Sequence, residues 1–462
     1  MRVLLIQPNY DVHVIHPPLG LGYLASFLKT KGIDVSILDA TLRNSSFDDI
    51  NENIIDFNPD LVGITVLSRG HNKAKNLIKN IKQSFPKLLI VIGGTQVTAY
   101  PKEVLSDLKA DFAVVGEGEI TLYELVKALE NKSALSKIDG LAYFQNKKFK
   151  INQARKLIEN LDELPFPAWD LMPPEDYRIA PILEPIKAFP VAPIFTSRGC
   201  PYNCSFCASN ATWKRRVRFR SLKNILDEIK LLKREYGIKE FHISDDNFTA
   251  DTQRAEKFCD ALISEQINLP WQCPSGVRID SLPLSLLRKM KRAGCYAVGL
   301  GIESGDVEML KRMDKKLDLK IVPEVLKNLH KVGIDSYGFF ILGLPGETLS
   351  SSRKTVDFAL DNDFDRAWFN IFVPYPGSTA FEGWLGKRGF NQIDWEKHDG
   401  STAVMTGEGL SIKQIEKFQK EALRKFYLRP KQFLKLVSRI GPREIGSLFL
   451  SRFFRKSLRL KV

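Results

Sequence analysis

The chain has 462 residues, 44% of them hydrophobic and 26% charged, with a formal net charge of +14. The length exceeds one average domain, and the composition is that of a globular chain with a sizeable core, which excludes a disordered or collagen-like protein. The charge is lopsided: residues 411–462 hold 15 of the 68 basic residues and 3 of the 54 acidic ones, so the main body is near neutral, unlike a nucleic-acid enzyme with a basic face.

The opening MRVLLIQPNY lacks the apolar core and cleavage site of a signal peptide, and no run approaches the roughly 18 apolar residues of a bilayer span. A cytoplasmic protein is expected. Residues 1–130 then alternate two periodicities. RVLLIQP, VSILDA, LVGITVL, LLIVIGG and FAVVGEG are apolar runs of strand length. GLGYLASFLKTKG, FDDINENIIDF, NKAKNLIKNIKQSF and TLYELVKALE space their apolar residues as helices do. Strands alternating with helices predict a parallel, doubly wound α/β sheet, whose ligands bind at the carboxyl ends of the strands.

Residues 136–190 read as a connector. It holds a candidate hairpin, GLAYFQNKKFKI, and a proline-rich strap, LPFPAWDLMPPEDY, expected to be extended because proline fixes φ and removes a donor. A second alternating series begins near Pro193. PIFTS, EFHIS, WQCPS, AVGLGIE, SYGFFIL and AWFNIFV are its strand candidates, separated by helical segments such as LKNILDEIKLLKREY and TVDFALDN. Six such units predict a partial (β/α) barrel with its site at the strands' C-terminal ends.

Between the first two units of that series lies SRGCPYNCSFCAS, with Cys200, Cys204 and Cys207. Three of the chain's six cysteines fall within eight residues, after 199 residues with none. Three thiolates on one short loop suit an iron–sulfur cluster or zinc. A structural zinc site usually has four ligands, and no fourth is near in sequence. Cys259, Cys273 and Cys295 read as core residues. A non-catalytic iron–sulfur carrier or sensor, or a zinc-stabilised interaction protein, stays open at this level.

This spacing, with the aromatic Phe206 before the last cysteine, resembles the signature of the radical SAM enzymes. The resemblance implies a 4Fe–4S cluster on Cys200, Cys204 and Cys207, one iron of which is left open for S-adenosylmethionine. One electron would then cleave that molecule to a 5′-deoxyadenosyl radical. It also implies that residues at later strand ends hold S-adenosylmethionine: Ser275 and Arg278 in PSGVRID, Glu303 and Ser304 in GLGIESGD, and Gly343 in GFFILGLPGE, with VPYPGS as an adenine-side turn. FHISDDNF departs from the family's Gly-Gly-Glu turn: Asp245 and Asp246 stand there instead.

An N-terminal doubly wound domain before such a barrel resembles the cobalamin-binding radical SAM subfamily. The stretches HPPLGLGYLAS, VIGGTQVTAYP and VVGEGE carry this likeness, which implies a cobalamin site at Gly93, Gly94, Gly116, Glu117 and Gly118. DVHVIH keeps Asp11 and His13 of a cobalt-ligating D-x-H-x-x-G pattern but has His16 in place of its glycine, so a solvated loop is expected rather than a cobalt ligand. Methylthiotransferases acting on RNA need cysteines in their first domain, and residues 1–199 have none. The resemblance divides the chain into a cobalamin-binding domain (1–135), the connector (136–190), a radical SAM partial barrel (191–380) and a C-terminal region with a basic helical tail (381–462). It implies methylation of an unactivated carbon on a small-molecule or lipid-like substrate, with radical ring closure or rearrangement as the alternative. An electron donor such as flavodoxin or ferredoxin is the expected partner, and no nucleic acid is expected. The basic, Phe- and Leu-rich end, FYLRPKQFLKLVSRIGPREIGSLFLSRFFRKSLRLKV, reads either as a helical cap or as a surface for anionic lipid, which would make the protein membrane-peripheral.

Overall fold

The computed structural model describes residues 1–10, 16–177, 186–386, 389–406, 409–430 and 432. Asp11, His13 and nearly all of the basic tail therefore lie outside the described residues. Among those described, no helix is long and apolar enough to cross a membrane.

The first sheet has seven strands: β1 (Arg2–Gln7), β2 (Asp34–Asp39), β3 (Leu61–Thr65), β4 (Leu89–Gly93), β5 (Phe112–Val114), β6 (Leu141–Gln145) and β7 (Lys148–Ile151). Their order is β2-β1-β3-β4-β5-β6-β7. The first five are parallel, and the β6–β7 hairpin extends the sheet antiparallel to β5. The central strands are apolar on both faces because helices cover both, so β1 buries Val3, Leu4, Leu5 and Ile6 completely or nearly so. The strand order reverses at β1, which makes the carboxyl ends of β1 and β3 a switch point. The proline-rich strap is not simply extended. It folds into two 3₁₀ turns, Trp169–Leu171 and Pro174–Asp176, and a third, Leu161–Glu163, immediately precedes it. Burial of Trp169, Met172 and Tyr177 supplies what bends it.

The second sheet has six strands, all parallel: β8 (Val191–Ile194), β9 (Glu240–Ile243), β10 (Trp271–Val277), β11 (Cys295–Glu303), β12 (Asp335–Leu342) and β13 (Arg366–Ile371). They lie in chain order, as an open barrel wall requires. Trp271 anchors its core against Phe241, Phe248 and Phe258, all fully or almost fully buried. Helix Ile412–Tyr427 covers the β13 edge: Gln419 Nε2 donates to the Phe369 carbonyl at 2.7 Å and Tyr427 Oη to that of Ala367 at 3.0 Å. An otherwise unpaired edge is thereby closed. Cys259, Cys273 and Cys295 are all buried core residues here.

Two compact units emerge, both discontinuous in sequence. The first comprises Met1–Arg178, Phe206–Asn224 and Pro374–Glu396; the second comprises Ile179–Ser205, Ile225–Val373 and the chain from Lys397 on. Phe381, Phe390, Ile393 and Trp395 complete the core of the first unit. Within it, Trp395 stacks on His71, ring centroids 5.2 Å apart.

Candidate active site

The chain leaving β8 is held before it enters the cysteine loop. Asp245, at the end of β9, accepts from Thr196 N–H at 2.6 Å and from the Thr196 and Ser197 hydroxyls. Asp246 accepts from Gly199 N–H at 3.0 Å, and Arg254 Nη2 donates to the Thr196 carbonyl at 2.8 Å. Asp245 is 1% exposed, and burial pushes its carboxyl above the usual range while the three donors pull it back. The pair that replaces the family's Gly-Gly-Glu turn therefore fixes Thr196–Gly199, which immediately precedes Cys200.

Cys200 and Cys204 are half-buried and Cys207 is exposed. Burial pushes the Cys200 and Cys204 thiols up, while the Lys315 and Arg278 cations pull them down. Thiols must lose their protons to ligate, so a bound metal would complete what these cations begin. Among the described residues, no three His, Cys, Asp or Glu side chains close on one ion-sized centre. A cubane offers a separate iron to each thiolate, so its ligands stand further apart than those of a single ion. Two half-buried thiols beside two cations, with a third, exposed thiol three residues further along the same loop, fit that group. Phe206 is partly buried.

Arg278 and the segment that follows β11 reach this loop. Arg278, after β10, stacks its guanidinium 4.0 Å over the Tyr202 ring and donates to the Lys315 and Lys316 carbonyls at 2.8 and 2.9 Å. The Met313 carbonyl accepts from Ser205 N–H at 2.9 Å. Segment 313–316 is thus tied to the cysteine loop on one side and to Arg278 on the other. Its Lys315 is a site residue that sequence reasoning misses. The side chain is buried and donates to Glu303 at 2.9 Å. A β-bulge between Gly301 and Glu303 re-aims the end of β11, and Glu303 takes a left-handed φ of +67°. A Cβ on Gly301 would meet Glu303 Oε1 at 2.6 Å and Lys315 Nζ at 2.9 Å, so a side chain there would push this pair apart.

Two strand-end candidates are used inside the protein. The Ser304 hydroxyl is fully buried, bonds Thr355 Oγ1 at 2.9 Å and accepts from Asp306 N–H. Gly343 has φ +82°, and its N–H and that of Leu344 both donate to the buried Glu347 carboxylate. Ser275 is exposed, beside Gly276 at φ +102°. Burial pushes Glu347 up to about 7. Protonation of this group is thus favoured in the native state: its stabilisation is complete below about pH 4.5 and is lost as pH rises through about 7. We expect wild-type stability to fall by about 3 kcal/mol more than that of Glu347→Gln across this window, in anaerobic denaturant titrations.

At the carboxyl ends of the first sheet, Gly94 has φ +110° and a Cβ there would lie 2.8 Å from the Val66 carbonyl oxygen. Gly116 has φ +85°, its N–H donates to the Thr98 hydroxyl at 3.0 Å, and open space lies where a Cβ would stand. These two positions require glycine and leave bare backbone beside the strand ends, which fits the flat face and amide-fringed rim of a corrinoid. Gly93 and Gly118 carry no such backbone demand. Glu117 differs: its carboxylate is buried and bound to Arg218. Gly377, in the VPYPGS turn, packs against Ala211 and Ala99 of the same unit, and a Cβ there would lie 2.6 Å from that of Ala211.

Comparison with known proteins agrees with both halves. Residues 9–126 match the B12 binding domain and residues 194–359 the radical SAM superfamily. The chain is 34% identical to an uncharacterized methyltransferase of Pyrococcus horikoshii, over 94% of each protein. It is 29% identical to the anaerobic magnesium-protoporphyrin IX monomethyl ester cyclase of Rubrivivax gelatinosus, over 94% of this chain and 79% of that one. Its fold matches the radical S-adenosylmethionine methyltransferase TsrM of Kitasatospora setae, solved with cobalamin and a [4Fe-4S] cluster, with a TM-score of 0.70 and 19% identity over 96% of this chain and 89% of that one. With a cysteine loop after a strand of one sheet and bare glycine turns at the strand ends of the other, the chain belongs to the cobalamin-dependent radical SAM methyltransferase family.

Proposed function

We propose that this enzyme transfers a methyl group to an unactivated carbon of a small-molecule substrate. The observation that carries the reading is the pairing of a three-thiolate loop, bracketed by Lys315 and Arg278, with a separate sheet whose Gly94 and Gly116 bare its backbone. When bound, the cluster and S-adenosylmethionine supply a hydrogen-abstracting radical and cobalamin supplies the methyl group. The chain's own residues do the positioning. Asp245 and Asp246 hold the entrance of the cysteine loop. Glu303, Lys315 and Arg278 offer a carboxylate and two cations to a zwitterionic amino acid and its ribose. Ser275 and Gly343 belong to the same rim, Phe206 lies on the loop that carries the last thiolate, and Gly93 and Gly118 flank the corrinoid turns. A low-potential one-electron donor of the flavodoxin or ferredoxin kind supplies reducing equivalents.

The test is anaerobic reconstitution with both cofactors and a reductant, followed by mass spectrometry of cell extract incubated with the enzyme. A new product heavier by one CH₂, formed together with 5′-deoxyadenosine, is expected. 5′-Deoxyadenosine with a product of unchanged carbon count would replace methylation by ring closure, the activity named for the Rubrivivax relative.

A further inference from the structure

Glu117 stands between Gly116 and Gly118, in the turn that follows β5. A Gly-Glu-Gly turn is among the freest backbone stretches a chain can contain, and its ordering costs more entropy than that of other residues. The Gly116 N–H bond to Thr98 Oγ1 holds one end of it, and the one side chain it has adds a further restraint. Glu117 Oε2 accepts from Arg218 Nη1 at 2.7 Å and from Ile158 N–H at 2.8 Å. The same Arg218 nitrogen donates to the Ile158 carbonyl at 2.6 Å. Both side chains are 3% exposed, so this is a buried ion pair joining three segments: the turn, the stretch around Ile158 that follows the β6–β7 hairpin, and the short strand Arg218–Phe219.

The pair is an inefficient way to hold a fold together. Among the described residues, Arg218 Nε and Nη2 are buried without a hydrogen-bond partner, and the guanidinium lies 5.4 Å from the Trp213 ring centroid. A buried ion pair with unmade donors costs more desolvation than it returns in stability, and apolar residues would fill the space at less cost. What the pair supplies is a defined place for the turn. Arg218 also belongs to Phe206–Asn224, the stretch that leads away from the cysteine loop yet packs within the first compact unit. Glu117 itself is too buried and too fully engaged to touch a ligand.

We propose that Glu117 and Arg218 are positioning residues for the corrinoid: their buried pair pre-orders the Gly116–Gly118 turn, and corrinoid affinity depends on it. A turn already held in place spares the cofactor the entropy of ordering it. The inference rests on cobalamin being bound at this turn.

The experiment titrates the anaerobically purified full-length protein with hydroxocobalamin and follows the bound fraction by equilibrium dialysis. Arg218→Met and Glu117→Gln are each expected to weaken binding by on the order of tenfold, the cost of one lost buried charge-assisted hydrogen bond. The double variant should bind no more weakly than the weaker single one, because both lose the same pair. Arg218→Lys should recover part of the affinity. Iron and sulfide content after reconstitution should stay at the wild-type level, which a general loss of structure would not allow. Affinity within twofold of wild type in folded Arg218→Met and Glu117→Gln overturns the proposal. If either single variant does not fold, Glu117→Met combined with Arg218→Met, which buries no lone charge, takes its place in the titration: tenfold weaker binding supports the proposal and affinity within twofold of wild type overturns it. Failure of the wild-type chain to bind hydroxocobalamin would overturn the cofactor reading as well, whereas unaffected variants overturn the inference alone.

Discussion

Replacement of Cys200, Cys204 and Cys207 together by alanine is expected to abolish the iron–sulfur absorbance of reconstituted protein and to reduce 5′-deoxyadenosine formation to background. No other substitution should have so large an effect on chemistry, because these three thiolates are the ones proposed to hold the cluster. The fold should survive. Cys200 and Cys204 are only half-buried and Cys207 is exposed, so truncation leaves no large core cavity. Far-UV circular dichroism and cobalamin binding should therefore match the wild type. Cys259→Ala is the matched control. That thiol is 0% exposed, and its loss should cost about 1–2 kcal/mol of stability while leaving the absorbance intact. Retained absorbance in the triple variant would overturn the assignment.

Asp245→Ala is expected to give the largest loss of stability among the site variants. The carboxylate accepts from one backbone N–H and two hydroxyls, all buried. Removing it leaves three donors without water or partner, and the guanidinium of Arg254 loses its nearby counter-charge. A loss of about 3–5 kcal/mol in anaerobic denaturant titration is expected. Cluster content should fall with it, since Thr196–Gly199 leads straight into Cys200. Asp245→Asn retains one acceptor and should lose roughly half as much. A wild-type unfolding midpoint in Asp245→Ala would show that the Thr196 and Ser197 donors find other partners.

Much of this protein is legible in one dimension. Runs such as LLIVIGG and AVGLGIE are apolar throughout because both faces of their strands are buried, by helices in the first sheet and by helices and the barrel interior in the second, and each of these runs forms a strand. The glycines after β4 and β5 stand out because their backbone conformation is closed to other residues. The three cysteines are the plainest case: candidate ligands on one loop are adjacent in sequence, so their spacing can be read directly. The proline-rich strap is harder to read, because proline fixes φ but does not say whether buried aromatic residues will bend the chain into 3₁₀ turns.

Other features depend on residues that meet only after folding. Lys315 lies in an unremarkable basic run, KRMDKK, and becomes a site residue because a bulge in β11 turns Glu303 toward it and Gly301 leaves the space. Arg218 is one of four arginines in RRVRFR, and nothing local singles it out as the partner of a carboxylate 101 positions earlier. Asp245 and Asp246 look like a departure from a ligand-binding turn, until the donors of Thr196, Ser197 and Gly199 show what they hold. Strands, ligand-bearing loop and glycine turns follow from the order of the amino acids alone, since periodicity, donor chemistry and backbone freedom are properties of neighbouring residues. Folding in three dimensions settles which charges are paired, which candidate side chains are already engaged, and how segments 206–224 and 374–396 return to the first unit, because burial and partnership depend on residues brought together from distant parts of the chain.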